Sequence, residues 1–326
     1  MTVSRRIRLE AFGGPDVMSL VSGTLPPPQP GEVRLRQTAI GFNLIDTYQR
    51  RGSVPLALPS GLGFEAAGVV EELGGDVEDF AVGERVAYMN AGPGAYADYR
   101  NIPAQKLVAL PAGISDETAA AILLKGLTAQ YLVRHTHAVK PGDLLLVHTA
   151  AGGVGQILTR WAAALGAIVI GTTSSSHKRG IALAAGCTAV IDATEEDWPA
   201  AFLEATGGRK ADVVYDAVGK VTLLKSLQCA APFGLVACYG AASSPAPAID
   251  PELLNKNGCL FLTRPSVFPH NAEPATFKRN AADLFGAIGK GHVQAHIAAR
   301  FALGDIRALH RAAEACELAG SAVIFP

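Results

Sequence analysis

Residues 146–156, LVHTAAGGVGQ, set small residues and glycines where a strand would pass into a helix. Gly152 and Gly155 stand at the spacing of the last two glycines of a G-x-G-x-x-G turn, and Ala150 occupies the first position. Such a turn supports pyrophosphate binding. Gly152 lets backbone approach the phosphates, Gly155 lets the helix pack closely on the strand, and the helix N-terminus adds free N–H groups and partial positive charge. Alanine is tolerable at 150 if the backbone there keeps a negative φ, since glycine is required only where the chain turns left-handed or must make room.

About 20 residues beyond such a turn, an NAD-binding chain places an acid for the ribose hydroxyls. Here the strand AIVIG runs instead into TTSSSHKR, residues 172–179. Ser174, Ser175 and Ser176 can donate hydrogen bonds, and Lys178 or Arg179 can neutralise a 2′-phosphate. The pattern fits NADPH better than NADH. A polar loop that merely opens a helix is the alternative, because serine also caps helices.

These residues need a scaffold, and the sequence outlines one. From about Lys140 to Val267, short continuous apolar runs (LLLVH, AIVIGTT, AVIDA, DVVYDAVG, LVACYG) alternate with helical patterns such as GQILTRWAAALG. Parallel strands buried on both faces by crossover helices read this way, which predicts an α/β fold with a Rossmann-type doubly wound parallel sheet over residues 126–267. Residues 1–125 give short β runs broken by glycine and proline, with LPPPQPGE as a stiff connection, and predict a mostly-β domain. Residues 268–326 carry two helical stretches around a strand-like AHIAARFAL and end on SAVIF, so this segment is expected to rejoin the first domain.

Composition narrows the function classes. The 326 residues are 49% hydrophobic and 17% charged, with a formal net charge of −1. That describes a well-buried globular protein of two domains, without the basic field that nucleic acid or anionic lipid would require. No run approaches the ~18 apolar residues of a membrane span, and the N-terminus lacks a signal-like apolar stretch, so a cytoplasmic protein is expected. Cys187, Cys229, Cys238, Cys259 and Cys316 never approach C-x-x-C spacing, which supports neither a zinc ribbon nor a disulfide framework. His135 and His137 are expected at the exposed end of a helix rather than on a metal, because i,i+2 residues do not share a helix face.

GFNLIDTYQRRG (41–52), LPSGLGFEAAGVV (58–70), LLKGLTAQYL (123–132), AAGGVG and NKNGCLFLTRPS (255–266) occur in an order that resembles the quinone oxidoreductase branch of the medium-chain dehydrogenase/reductase superfamily. The resemblance runs the whole chain and accounts for Ala150, since A-A-G-G-V-G is similar to that family's own form of the turn. It implies a GroES-like mostly-β catalytic domain beside the Rossmann domain, with NADPH in the cleft. Asn43, Leu44, Ile45, Asp46 and Thr47 would line the nicotinamide end, Asn43 also as a catalytic candidate; Tyr131, Gly153 and Val154 would meet ribose and pyrophosphate; Thr263, Arg264 and Pro265 would close over the cofactor, which Thr128 would also bind. Tyr48 is a candidate for orienting or protonating the acceptor, or else an aromatic wall. Lys125 is a candidate cationic residue, or else a solvated lysine at a domain edge.

Zinc-dependent members of the superfamily present a Cys in the segment matched by GFNLID and a His in a G-H-E triplet. Asn43 and Phe64 stand there instead, so no metal is expected. A conjugated quinone suits such a site because it accepts hydride without a Lewis acid, and positioning is the main task left to the protein. Activated alkenes such as enones or enoyl thioesters are an alternative on the same scaffold, and a non-catalytic NADPH- or RNA-binding role of the ζ-crystallin kind is a more distant one. Ala193 stands where relatives often place a tyrosine beside the adenosine phosphate, and Cys316 where an arginine reaches the cofactor; both departures weaken the expected 2′-phosphate selectivity. The resemblance further implies a homodimer joined through edge strands near Cys229–Tyr239 or LFLTRP.

Overall fold

The computed structural model describes residues 2–326, and the chain divides into two compact units. One holds residues up to 124 together with 271–285 and 295–326; the other holds 125–270 and 286–294. The short 286–294 stretch therefore groups with the second unit rather than with the rest of the C-terminal segment.

The first unit opens with a hairpin, β1 (Thr2–Leu9) and β2 (Met18–Leu25). Strands β3 (Glu32–Gly41), β4 (Glu65–Leu73), β5 (Arg85–Met89), β6 (Tyr99–Pro103) and β7 (Leu107–Ala109) then build a larger sheet, and β3 pairs antiparallel with both β4 and β6. Inward-facing Val33, Leu35, Ile40, Val86 and Tyr88 are buried in its core. Helix α1 (Leu44–Arg51) leaves the end of β3 and stops at Gly52, whose φ of 81° supplies the left-handed C-terminal turn. Helix α2 (Asp116–Tyr131) follows β7.

The second unit contains six parallel strands, β8 (Leu144–Val147), β9 (Ile168–Thr173), β10 (Ala189–Asp192), β11 (Ala211–Asp216), β12 (Ala230–Cys238) and β13 (Phe261–Thr263). Helices α3 (Gly153–Ala164), α4 (Ser176–Ala184), α5 (Trp198–Ala205), α6 (Leu223–Cys229), α7 (Pro251–Lys256) and α8 (Val267–His270) fall between or after them. The spatial order is β10-β9-β8-β11-β12-β13. The chain thus winds outward from β8 to β10, crosses over, and winds outward again from β11 to β13. The switch point lies between β8 and β11, where open α/β sheets bind ligands outside the carboxyl ends of their strands.

Helix α9 (Pro274–Gly289), strand β14 (Ile297–Ala302), helix α10 (Ile306–Glu314) and strand β15 (Ser321–Phe325) complete the chain. Strand β15 pairs antiparallel with β3, Ile324 opposite Ile40, and β14 lies parallel on its other side. This docking carries α10 onto the first unit's core through buried Ile306 and Leu309.

Candidate cofactor and acceptor site

In the second unit the glycine turn follows β8, at the switch point. Thr149, not Ala150, adopts the left-handed conformation, with φ 56°. Ala150 is fully buried and keeps an ordinary backbone, and Gly171 of β9 makes room for it: a Cβ on Gly171 would come within 2.7 Å of the Ala150 methyl. Gly155 is demanded by sterics, since its Cβ would fall 2.1 Å from the Thr149 carbonyl oxygen and 2.8 Å from Ala150 Cα. Gly152 is the N-cap of α3 in extended conformation, and a Cβ there would press on a Thr149 methyl at 3.0 Å. Gly153 and Val154 are half-buried in the first turn, where N–H groups lack helical acceptors. Small residues here are what let an anion reach the helix N-terminus.

At the end of β9, Ser174 and Ser176 are exposed, and Ser175 is the N-cap of α4 without making a side-chain cap bond. Lys178 is half-buried in the first turn of that helix. Arg179 is committed elsewhere: its Nη1 donates to the Val190 carbonyl at 2.9 Å. The half-buried Ala193 donates its N–H to Thr173 at 2.8 Å, which places it directly beside this loop. At the same carboxyl end of the sheet, Thr263 closes β13, and Arg264 is exposed with Nη1 3.3 Å from the Pro265 carbonyl. Thr128 and Tyr131 are buried; the Tyr131 ring stacks on His270 at 4.4 Å, and burial pushes its hydroxyl above the ordinary tyrosine range. His135 is exposed on a wide turn that ends the helix, while His137 meets Asp143 at 2.8 Å. Lys125 is buried, so it is not a solvated surface lysine.

In the first unit, Asn43 precedes α1 with its side chain turned to a carboxylate, Nδ2 donating to Glu65 Oε1 at 2.7 Å. Asp46 accepts the Asn43 backbone N–H at 2.9 Å and the Tyr96 hydroxyl at 2.6 Å. The Thr47 hydroxyl donates back to the Leu44 carbonyl. Asp46 and Thr47 thus hold the helix start, whereas Leu44 and Ile45 keep accessible surface. Tyr48 is half-buried, and desolvation raises its hydroxyl pKa, so it stays protonated at neutral pH. Arg51 pulls the other way, and Cys316 adds a smaller upward push.

Glu65 is the buried partner of Asn43 that sequence reasoning missed. It is fully buried and accepts from Asn43 Nδ2 and from the Leu124 backbone N–H at 2.6 Å. A glutamate inside the otherwise apolar GLGFEAAGVV was the available signal, because a buried carboxylate needs donors.

Together, a braced glycine turn at a sheet switch point, a serine- and lysine-bearing loop beside it, and a mostly-β unit define a dinucleotide-binding oxidoreductase architecture. The comparisons agree. Residues 29–112 match the alcohol dehydrogenase GroES-like domain, and residues 153–282 the zinc-binding dehydrogenase family. A quinone oxidoreductase of Pseudomonas aeruginosa is 43% identical, over 99% of this chain and 100% of that protein. A 2-haloacrylate reductase of a Burkholderia species is 43% identical over 96% of each. The structure of Escherichia coli quinone oxidoreductase complexed with NADPH superposes with a TM-score of 0.96 at 41% identity, covering 99% of this chain and 100% of that one. The chain belongs to the quinone oxidoreductase branch of the medium-chain dehydrogenase/reductase superfamily.

The name of the second matched family implies zinc, and the residues here do not fit it. Asn43 gives its amide N–H to Glu65, Phe64 is a buried hydrocarbon, and among the described residues no three His, Cys, Asp or Glu side chains group as metal ligands.

Proposed function

We propose that this protein reduces quinones with NADPH, without a metal. The observation that carries the proposal is the turn at the switch point, with Gly155 sterically enforced and a serine–lysine loop in place of an acid at the end of β9. Full-length relatedness to quinone oxidoreductases, one of them solved with NADPH, supports it.

NADPH, when bound, supplies the hydride. Gly152, Gly153, Val154 and Gly155 offer N–H groups and the α3 N-terminus to the pyrophosphate. Ser174, Ser175, Ser176 and Lys178 hold the 2′-phosphate by charge-assisted hydrogen bonds. Thr128, Tyr131, Thr263, Arg264 and Pro265 bind the remaining cofactor surface. With Nδ2 committed to Glu65, Asn43 presents its Oδ1 as an acceptor, beside Leu44 and Ile45 with Asp46 and Thr47 fixing their backbone. Tyr48, whose hydroxyl pKa is raised further by burial, donates a hydrogen bond to the acceptor oxygen.

The same chemistry serves an activated alkene, and the 2-haloacrylate reductase relative favours that second reading. Turnover of 1,4-benzoquinone, 9,10-phenanthrenequinone and a crotonyl thioester with NADPH, before and after dialysis against EDTA, decides. Quinone turnover unaffected by EDTA is expected; reduction of the thioester alone selects the second reading, and activity restored only by zinc overturns the metal-free assignment.

We also propose a homodimer. Strand β12 is covered by β13 over Leu235–Ala237, so β13 is the sheet's edge on that side, and Phe261 on it and Phe233 nearby are 62% and 72% exposed. Apolar side chains beside an open strand edge are what a second copy would cover. Light scattering after gel filtration is expected to give twice the chain mass, and Phe261→Asp to reduce it to one.

A further inference from the structure

His148 is fully buried and is the residue at which β8 gives way to the turn. Its backbone N–H donates to Tyr215 of β11 at 3.0 Å. Its ring bridges to two further elements, with Nδ1 3.0 Å from Thr172 Oγ1 on β9 and Nε2 3.0 Å from Ser226 Oγ on α6. The Ser226 hydroxyl donates to Asp216 Oδ2 at 2.9 Å, so its one proton is spent, and Nε2–H must be the donor to Ser226. A neutral ring then accepts from Thr172 at Nδ1. Burial, acting against Asp216, favours that neutral form. Asp216 itself takes the N–H groups of Val218 and Gly219 and the hydroxyl of Thr222, so the chain of bonds ends on a fully engaged carboxylate.

The residue that follows is the strained one. A left-handed β-branched residue such as Thr149 persists only where its surroundings over-determine it. Thr172 grips both sides of it: the hydroxyl holds the His148 ring, and the carbonyl accepts the Ala150 N–H at 3.0 Å. Thr149 in turn accepts the Gly152 N–H at 2.9 Å, and its carbonyl is the atom that Gly155 must clear. The conformation of Thr149 therefore sets where the first turn of α3 lies.

We propose that His148 is a positioning residue for cofactor binding, whose ring, held by Thr172 and the Ser226–Asp216 relay, keeps Thr149 left-handed and so aims the α3 N-terminus. This rests on the assignment of the turn as the phosphate site. The test is the NADPH dissociation constant, by calorimetry, of the whole protein and its variants. His148→Ala is expected to weaken binding at least about fivefold, and Ser226→Ala less, in the same direction. Because glycine adopts positive φ without strain, the loss caused by His148→Ala should shrink in a Thr149→Gly background. A residue that only filled the core would lower the melting temperature but show no such coupling. An equal loss in both backgrounds overturns the proposal; should His148→Ala not fold, Ser226→Ala with and without Thr149→Gly makes the same comparison. Gly153→Asp separates the two ideas. If it abolishes binding while His148→Ala leaves affinity intact, the positioning role alone falls; if it too leaves affinity intact, the phosphate assignment falls and the proposal with it.

Discussion

Two glycines in one turn carry different obligations. A methyl on Gly155 meets rigid backbone at 2.1 Å, whereas a methyl on Gly152 meets the end of a threonine side chain at 3.0 Å. Gly155→Ala should therefore displace α3 from β8 and lose most NADPH affinity, and Gly152→Ala should be the milder change; equal titration curves would contradict this. Lys178 tests cofactor class. A charge-assisted contact contributes about 1.5–3 kcal/mol, so Lys178→Ala should raise the KM for NADPH about tenfold or more and hardly move that for NADH. Arg179 is a poor substitute because its guanidinium is bound to the Val190 carbonyl. Equal losses for both cofactors would make Lys178 a structural residue of α4. The turn was legible in the sequence because glycine spacing is local. That Thr149 rather than residue 150 bears the left-handed φ was not, since the enforcing groups, Thr172 and Gly171, arrive from the next strand.

At the scale of elements, the parallel sheet was readable because strands buried on both faces become continuous apolar runs. Strand β12 carries such a run, and Val236 and Ala237 are fully buried. The polar pairs that fix the candidate acceptor helix were not readable, because their partners are distant in sequence. Arg50, fully buried on α1, pairs with Glu314 at the end of α10, and exposed Arg51 joins the same carboxylate at 3.0 Å. Arg50 Nε and Nη1 have no hydrogen-bond partner among the described residues, so Glu314 is the main compensation for a buried cation. Glu314→Ala should destabilise the fold by about 3 kcal/mol, because breaking a buried pair strands the remaining charge. It should also lower kcat, as α1 carries Tyr48 and follows Asn43. Urea unfolding checks the first effect and steady-state kinetics the second; a variant as stable as the parent would show that Arg50 is accommodated without its partner.

For the whole molecule, the same region sets a pH dependence. His310 of α10 is fully buried, its ring lies edge-on to Phe42 at 5.3 Å and Tyr96 at 6.1 Å, and neither nitrogen has a hydrogen-bond partner among the described residues. Desolvation first, and then nearby Arg50, pull its pKa down from 6.5 to about 3. Its pKa is thus depressed in the folded state, so the unfolded chain binds the extra proton between these values. Stability is complete above about pH 6.5 and falls as the pH drops, by up to about 1.4 kcal/mol per pH unit from this group. Buried His148, and His270, shift in the same direction and add to the slope in the other unit. His310→Leu isolates one contribution: it removes the titrating ring and keeps an apolar side chain in the space. Between pH 6 and 4 its urea midpoint should fall less steeply than the parent's, by about one proton's worth, while at pH 7.5 the two lie close. Parallel curves would mean that the histidine is already protonated in the fold, against the absence of any acceptor for its two nitrogens.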